Sequence, residues 1–332
     1  MTPMITVAMP VKNGAKFLAE AIESILAQSY EDFELLILDD HSDDDSAKIV
    51  KAYESLDPRV KLLLAKGEGL VSALNQLLEV AKGEYFARMD ADDISNPARL
   101  EKQFQHLEQH ADCDIIGSWV SVMGQKQEIW HYRRTFADTA TVLLMGKTPL
   151  CHPSIMGRKA VMRRLGYRSK YRHMEDMDLF ARALAMGVKF YALPEILLQY
   201  RIHSASISAQ HEAAQMSQRA RIVKEMMNSI TETTAYDEQI DQFVRSVSYG
   251  QRIDDEARDF FKQHMLAINA VLSKLGITAS EEWQKKQQWL AGVGIGPYKR
   301  LVLLPVNVQQ RHYLKRLKHH QVDNLWLSWH LS

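Results

Sequence analysis

Residues 85–93 read Tyr-Phe-Ala-Arg-Met-Asp-Ala-Asp-Asp: a short apolar run that stops abruptly at Asp90, Asp92 and Asp93. Tyr85 to Met89 reads as a buried strand, with Gly83 just before it. The same motif, an apolar strand ending in polar residues, occurs twice upstream. Ile5 to Met9 ends at Pro10 and a Lys12-Asn13-Gly14 loop, and Phe33 to Leu38 ends at Asp39-Asp40. Helical periodicity fills the intervals. Over Phe17 to Gln28, residues Leu18, Ala21, Ile22, Ile25 and Leu26 fall on one face at spacings of three and four. Asp43 to Leu56 and Leu70 to Ala81 read as further helices, with a strand at Val60 to Leu64 between them. The order β-α-β-α-β-α-β predicts an α/β fold with a mostly parallel sheet flanked by helices. Right-handed crossovers line up the carboxyl ends of the strands on one edge, where open α/β sheets bind ligands. Pro10, Asp39-Asp40 and Asp90-Asp92 all fall at such ends.

Beyond Pro97 the pattern predicts a helix to about His110 and a strand over Asp114 to Val122. Trp130 to Met145 reads as a connector with some helix. A short strand over Ser154 to Arg158 precedes helices at Lys159 to Leu165 and Asp176 to Met186. A strand from Val188 to Leu193 stops before Pro194, and the polar segment Tyr200 to Ser208 closes this region. The composition then shifts. Residues 211–230, 236–249 and 254–275 read as long helices, and residues 283–322 contain no Asp or Glu but eight Lys or Arg. Trp283, Trp289, Trp326 and Trp329 lie in the last fifty residues. The expected organisation is a catalytic-size α/β domain at 1–210 and a helical, basic and aromatic extension at 211–332.

Composition excludes several classes. Of 332 residues 46% are apolar and 25% charged, so a sizeable core is available. Forty-one basic and 41 acidic residues balance, which gives no electrostatic reason to expect nucleic acid. Two cysteines, Cys113 and Cys151, make no disulfide framework and suit a reducing compartment. No run of about 18 apolar residues predicts a membrane span, and the start carries no export-signal pattern. A dinucleotide-dependent oxidoreductase would need a Gly-x-Gly-x-x-Gly turn after the first strand, and VAMPVKNGAKF lacks it.

The residue types leave paired readings open. Asp90, Asp92 and Asp93 are close enough to repel one another. A divalent cation would relieve that repulsion, and oxygen ligation suits Mg2+ or Mn2+. A solvated turn capping the next helix explains the same residues. Asp39-Asp40 fits helix capping, or hydrogen bonding to a base or sugar hydroxyl. Asp176 fits a helix cap or a general base. His203 fits a surface histidine or a neutral ligand for a metal, and Arg201 offers a planar fork to a diphosphate. His152 either lines an acceptor cleft or bonds to its own loop backbone.

Read together, ITVAMPVKNG (5–14), FLAEAIESILAQSYEDFELLILDDHSDDDS (17–46), GLVSALNQLLEVAKGEYFARMDADDISNPARLEKQ (69–103), the His152-Pro153-Ser154 region, HMEDMDLFARAL (173–184) and YRIHSASIS (200–208) resemble family 2 of the inverting nucleotide-sugar glycosyltransferases, which have the GT-A fold. The resemblance spans residues 5–208 and says little about 211–332. It implies a metal-dependent transfer of a hexosyl or N-acetylhexosaminyl group from a UDP-sugar to a saccharide or lipid-linked saccharide. It places Pro10, Val11, Asn13 and Asp40 around the base, with Asp40 reading the uracil edge. Asp90 goes to the ribose or a metal-bound water, with Ala91 beside it, and Arg88 and Arg99 support the carboxylates. Asp92 and His203 are assigned to Mn2+ or Mg2+, and Arg201 to the diphosphate. Asp176 is the general base, with Glu175 orienting the base, the acceptor or the loop. His152 and Asp93 fall on the acceptor side. Lys12 stands where the family often has Tyr. A noncatalytic sugar-nucleotide-binding or scaffold protein and a nucleotidyltransferase are the competing readings. The tail suggests peripheral attachment to an anionic membrane at its cytoplasmic face, or packing into a helical subdomain or homodimer interface.

Overall fold

Strands β1 (Ile5–Val11) and β2 (Phe33–Asp39) are buried at every position, as central parallel strands covered on both faces must be. The computed structural model describes residues 2–67, 69–125, 127–171, 173–203, 212–234, 240, 255–279 and 284. β1 pairs in parallel with β2, from Ile5 opposite Phe33 to Val11 opposite Asp39. On its other side it pairs in parallel with β4 (Tyr85–Arg88), ending at Ala8 opposite Arg88. β3 (Val60–Leu64) lies outside β2, also parallel. Helices α1 (Ala15–Leu26), α2 (Ser46–Leu56) and α3 (Leu70–Val80) connect these strands, as the periodicity predicts. Leu18, Ala21, Ile22 and Ile25 of α1 are all fully buried.

Beyond β4 the sheet becomes mixed. After short β5 (Ile94–Ser95) and helix α4 (Arg99–Gln109) come β6 (Ile115–Gly124), β7 (Glu128–Trp130) and helix α5 (Phe136–Leu144). β8 (Met156–Arg158), α6 (Lys159–Leu165), α7 (Glu175–Ala185) and β9 (Phe190–Ile202) follow. The strand order is β3-β2-β1-β4-β8-β6-β9-β5, with β7 paired to β6. β8 is antiparallel to both β4 and β6, whereas β9 runs parallel to β6.

Two prolines expected to end strands lie inside them. The Ala8 carbonyl accepts the Met89 N–H on the β4 side, so the nitrogen of Pro10, two residues on, faces that side beyond the last β4 pair. No ladder bond is lost there. In β9 the register jumps from Ser118 opposite Leu193 to Trp119 opposite Ile196, leaving Pro194 and Glu195 as a bulge. The strand therefore continues past Pro194 to Ile202. β5 and β7 escape sequence reading because they are too short to show a period. The expected strand at Ser154 is shortened because His152–Ser154 forms a single 3-10 turn.

The chain divides into two units, residues 1–143 with 148–212, and residues 144–147 with 213–332. In the second, α8 (Glu212–Thr231) buries Ile222, Val223, Met226, Met227 and Ile230 at helical spacing. α9 (Asp255–Lys274) buries Ile268, Val271 and Leu272. No helix among the described residues is long and apolar enough to cross a membrane. The expected helix at 236–249, the end of the polar segment at 204–208 and the basic stretch 283–322 lie outside the described residues, apart from positions 240 and 284.

Candidate active site

Two buried arginines brace the end of β4, from which the carboxylates follow. Arg99, fully buried at the start of α4, donates to the Arg88 carbonyl at 2.5 Å and to Gln103 Oε1 at 3.2 Å. Burial pulls its guanidinium down to about 10. Arg88, also buried, forms an ion pair with Asp90. Burial opposes its charge, yet the Asp90 carboxylate beside it raises its pKa.

One oxygen each of Asp90, Asp92 and Asp93 lie within 4.8 Å of one another. Burial, and then the Asp90 charge, raise the Asp92 carboxyl. Burial raises Asp93 well above the usual range, with Asp90 and Asp92 adding to it. Asp93 Oδ1 accepts the Arg201 N–H at 2.8 Å, whereas its buried Oδ2 has no hydrogen-bond partner. An orphaned buried carboxylate oxygen in a mutually repelling group of oxygen donors fits a divalent cation. His203 Nε2 lies 2.9 Å from Asp92 Oδ2, adding a nitrogen beside that donor set.

Arg201 is more heavily engaged than a free diphosphate fork would be. Its Nε donates to the Asp92 carbonyl at 2.7 Å and its Nη2 to Glu20 at 2.5 Å. The guanidinium lies over the Phe17 ring at 4.4 Å, and the His203 ring lies 5.2 Å from that ring. The end of β9 is thus clamped to α1. Phe17 and Glu20 have no sequence signal for this role, because they sit on a helix whose other face builds the core.

A second group forms at the ends of β1 and β2. Asp40 N–H donates to the Val11 carbonyl at 2.8 Å, and Asp40 Oδ2 accepts the Gly69 N–H at 2.9 Å. Asp40 Oδ1 is buried with no hydrogen-bond partner. Asp39 accepts the Ser42 N–H at 3.2 Å and braces the turn. Asn13 adopts a φ of 52°, accessible to Asn, and its Oδ1 accepts the Asp43 N–H at 3.0 Å. A methyl on Gly14 would lie 2.7 Å from Val11 Cγ2 and 3.7 Å from Ala91 Cβ. Glycine is therefore what lets the Pro10–Asn13 loop close against the turn at Ala91.

The third group surrounds the start of α7. This helix begins at Glu175, so Glu175 and Asp176 both lie in its first turn, where the helix dipole favours negative charge. Asp176 does not occupy the cap position, which is Met174; its Oδ1 accepts the Met177 N–H at 2.7 Å. Asp176 is half-buried and Glu175 buried. Burial, and then the neighbouring Asp176 charge, push Glu175 up to about 7. The Arg88 and Asp90 charges also act on Glu175, linking this group to the first. Buried His152 bonds not to its loop but to the Tyr167 hydroxyl, through Nε2 at 2.9 Å. Burial, reinforced by Arg88, holds its pKa well below the usual value and keeps it neutral. Asn75 brackets Tyr167, donating to its carbonyl at 2.9 Å and accepting its N–H at 2.8 Å. Tyr167 and Asn75 were not found from the sequence, since neither belongs to a recognisable spacing.

The mixed sheet, with polar groups at the ends of β1, β2 and β4 and at the start of α7, agrees with the GT-A fold expected from the sequence. Residues 6–166 match glycosyl transferase family 2. The chain is 40% identical to EpsE of Bacillus subtilis over 205 residues, covering 60% of this chain and 73% of that protein. It is 34% identical over 230 residues to WbnJ, an O-antigen biosynthesis glycosyltransferase of Escherichia coli, covering 67% and 90%. The fold is similar to that of S. aureus TarS 1-349 in complex with UDP-GlcNAc, with a TM-score of 0.60 and 15% identity over 86% of this chain and 87% of that one. The mannosyltransferase PcManGT from Pyrobaculum calidifontis, in complex with GDP-Man and Mn2+, matches at a TM-score of 0.52 and 17% identity over 99% and 84%. The chain belongs to glycosyl transferase family 2 and is a glycosyltransferase acting on a nucleotide sugar.

Proposed function

We propose that the protein moves a sugar from a UDP-sugar to a hydroxyl of a saccharide or lipid-linked saccharide, with inversion at the anomeric carbon. The observation that carries this reading is the carboxylate cluster after β4: one oxygen each of Asp90, Asp92 and Asp93 lie within 4.8 Å of one another, with His203 Nε2 2.9 Å from Asp92 Oδ2. Asp40 Oδ1, buried and unpaired, is suited to accept a hydrogen bond from a uracil N–H. Pro10, Val11 and Asn13 wall that base site, with Ala91 at its edge. UDP is also the nucleotide named for the TarS complex, whereas PcManGT binds GDP-Man.

In this reading Asp176 takes the proton of the acceptor hydroxyl as its oxygen attacks the anomeric carbon. The bond from that carbon to the diphosphate breaks, and UDP leaves with the electron pair. Glu175 orients Asp176, and neutral His152 stands on the acceptor side. Asp92 and His203 would hold Mn2+ or Mg2+, with Asp90 on the ribose or a metal-bound water; the cation supplies positive charge against the diphosphate. Arg88 pairs with Asp90, and Arg201 orders the turn through Asp92 and Asp93 while facing the diphosphate.

A nucleotide-sugar screen with mass detection of sugar transferred to saccharide and lipid-linked acceptors tests the donor and acceptor classes. Asp176→Asn keeps the side-chain size but removes basicity. It should lower transfer roughly 10²–10⁴-fold while leaving UDP binding intact. Near-normal transfer by that variant, or a product that retains the donor configuration, rejects the mechanism.

The finer proposal for location rests on the sequence of residues 283–322. Eight basic residues without acidic offset, flanked by tryptophans and joined by Leu301, Val302, Leu303 and Leu304, suit the cytoplasmic face of an anionic membrane. Attachment there would bring Asp176 to a lipid-linked acceptor. A homodimer interface is the competing use of the same residues.

A further inference from the structure

Helix α4 opens at Arg99, which braces the end of β4, and closes on two histidines one turn apart, His106 and His110. Residues four apart on a helix stand on one face. The His110 N–H donates to the His106 carbonyl at 3.0 Å. The His110 ring returns to the same carbonyl through Nδ1, at 2.9 Å. The two imidazoles lie face to face, with centroids 4.1 Å apart and planes 17° from parallel. His106 is half-buried and His110 exposed, so the pair meets water.

The bond to the carbonyl fixes the state of the His110 ring. A carbonyl only accepts, so Nδ1 carries the proton, and the lone pair of the neutral ring is on Nε2. This is the arrangement of metal-ligating histidines, in which one ring nitrogen donates to a backbone carbonyl and the other binds the ion. A carboxylate is tethered beside the pair. The Tyr191 hydroxyl donates to Asp112 Oδ2 at 3.1 Å, and Lys189 Nζ lies 3.5 Å from that oxygen. The Tyr191 ring lies 6.5 Å from the His106 ring. Burial, and then His110, lower the His106 pKa, so its ring also offers a lone pair near neutral pH.

We propose that His106 and His110 form a second cation site, a two-nitrogen chelate for Zn2+, with Asp112 as counter-charge. Imidazole suits Zn2+, whereas the oxygen donors at Asp90, Asp92 and Asp93 suit Mg2+ or Mn2+. Two Zn–N bonds of about 2.0–2.1 Å span the separation of the rings, and water completes the tetrahedron on the open side. The 11 residues of α4 put this pair about 16 Å along the helix from Arg99, so the two sites are separate. An ion held here staples the last turn of the helix whose first turn braces the end of β4.

The test is calorimetric titration of the metal-stripped full chain with Zn2+ at neutral pH, for the wild type, His110→Gln, His106→Gln and Asp92→Asn. Zn2+ can also enter the carboxylate cluster, so Mn2+ is present in excess to fill it. Mn2+ competes poorly for imidazole, standing lowest in the order of divalent affinities. The wild type and Asp92→Asn should bind Zn2+ alike. Both histidine variants should bind it at least about tenfold more weakly, because loss of a mere outer partner already costs about 10–100-fold. Zn2+ should also raise the Tm of the wild type and leave that of His110→Gln unmoved. Circular dichroism checks folding. Should His106→Gln fail to fold, the exposed His110→Gln decides alone. Absence of Zn2+ binding by the wild type, equal Zn2+ affinity in the wild type and His110→Gln, or loss of the site in Asp92→Asn overturns the proposal.

Discussion

Asp92 stands between influences that no sequence pattern weighs: burial and then the Asp90 charge, which disfavour its ionised form, and His203, which favours it. A cation would settle that competition. UDP binding measured by calorimetry should strengthen when Mn2+ or Mg2+ is added, and Asp92→Asn should lose most of that enhancement while remaining folded. Equal UDP binding by both proteins, with and without chelator, would sink the assignment. Glu175 gives a prediction about stability. Its pKa rises from 4.5 to about 7 on folding, mainly through burial. A raised carboxyl contributes stability that is fully present below its unfolded pKa and is lost as pH rises through the folded value. The shift is worth on the order of 3 kcal/mol between the two protonation states. Urea unfolding should show the native state weakening between about pH 4.5 and 7, and Glu175→Gln should flatten that part of the profile. An unchanged pH profile in the glutamine variant would assign the loss to other groups.

At the scale of elements, the parallel half of the sheet depends on a close approach of backbone to backbone. Gly83, between α3 and β4, donates its N–H to Thr6 Oγ1 at 2.9 Å. Thr6 in turn donates to Glu34 Oε1 at 2.7 Å, which also accepts the Lys82 N–H at 2.8 Å. A Cβ at Gly83 would sit 2.4 Å from the Thr6 nitrogen and 2.6 Å from the Ile5 carbonyl carbon. Those atoms belong to β1, which is paired on both sides and cannot give way. Gly83→Ala should therefore destabilise the protein by about 2–3 kcal/mol, the scale of overpacking a core. The shift would be read from its urea midpoint, and a neutral substitution would show that the connection can move. The bulge at Pro194-Glu195 belongs to the same scale. It lets β9 continue to Ile202, carrying Arg201 and, just beyond the strand, His203 to the turn after β4.

For the whole molecule, the prediction concerns the basic extension. The full chain should float with anionic liposomes at low salt, bind neutral ones less, and release as salt rises, because the attraction between basic residues and headgroups is screened. Truncation after residue 282 should reduce the binding, with UDP titration confirming that the remaining chain stays folded. A stable full-length protein that binds neither liposome type at low salt would leave the extension to packing or to a dimer.

The parallel half of the fold, β1 to β4 with α1 to α3, was readable in the sequence because each strand is a continuous apolar run and each helix has a 3.6-residue period. The residue types at the strand ends were readable for the same reason: once the strands are placed, Asp39-Asp40 and Asp90-Asp93 fall on one edge. The short strands β5 and β7, the passage of β1 and β9 through proline, and the start of α7 at Glu175 were decided by tertiary pairing, which overrides local pattern where a segment is short or a ladder bond is dispensable. The partners of the site residues belong to the same class. His152 with Tyr167, and Arg201 with Glu20 and Phe17, join positions 15 to 184 residues apart in sequence. Sequence determined which chemical groups stand at the strand ends, because hydrophobic period and strand length are local. Only the folded sheet decided which of them touch and how far burial shifts their protons, because desolvation and charge proximity depend on the whole packed structure.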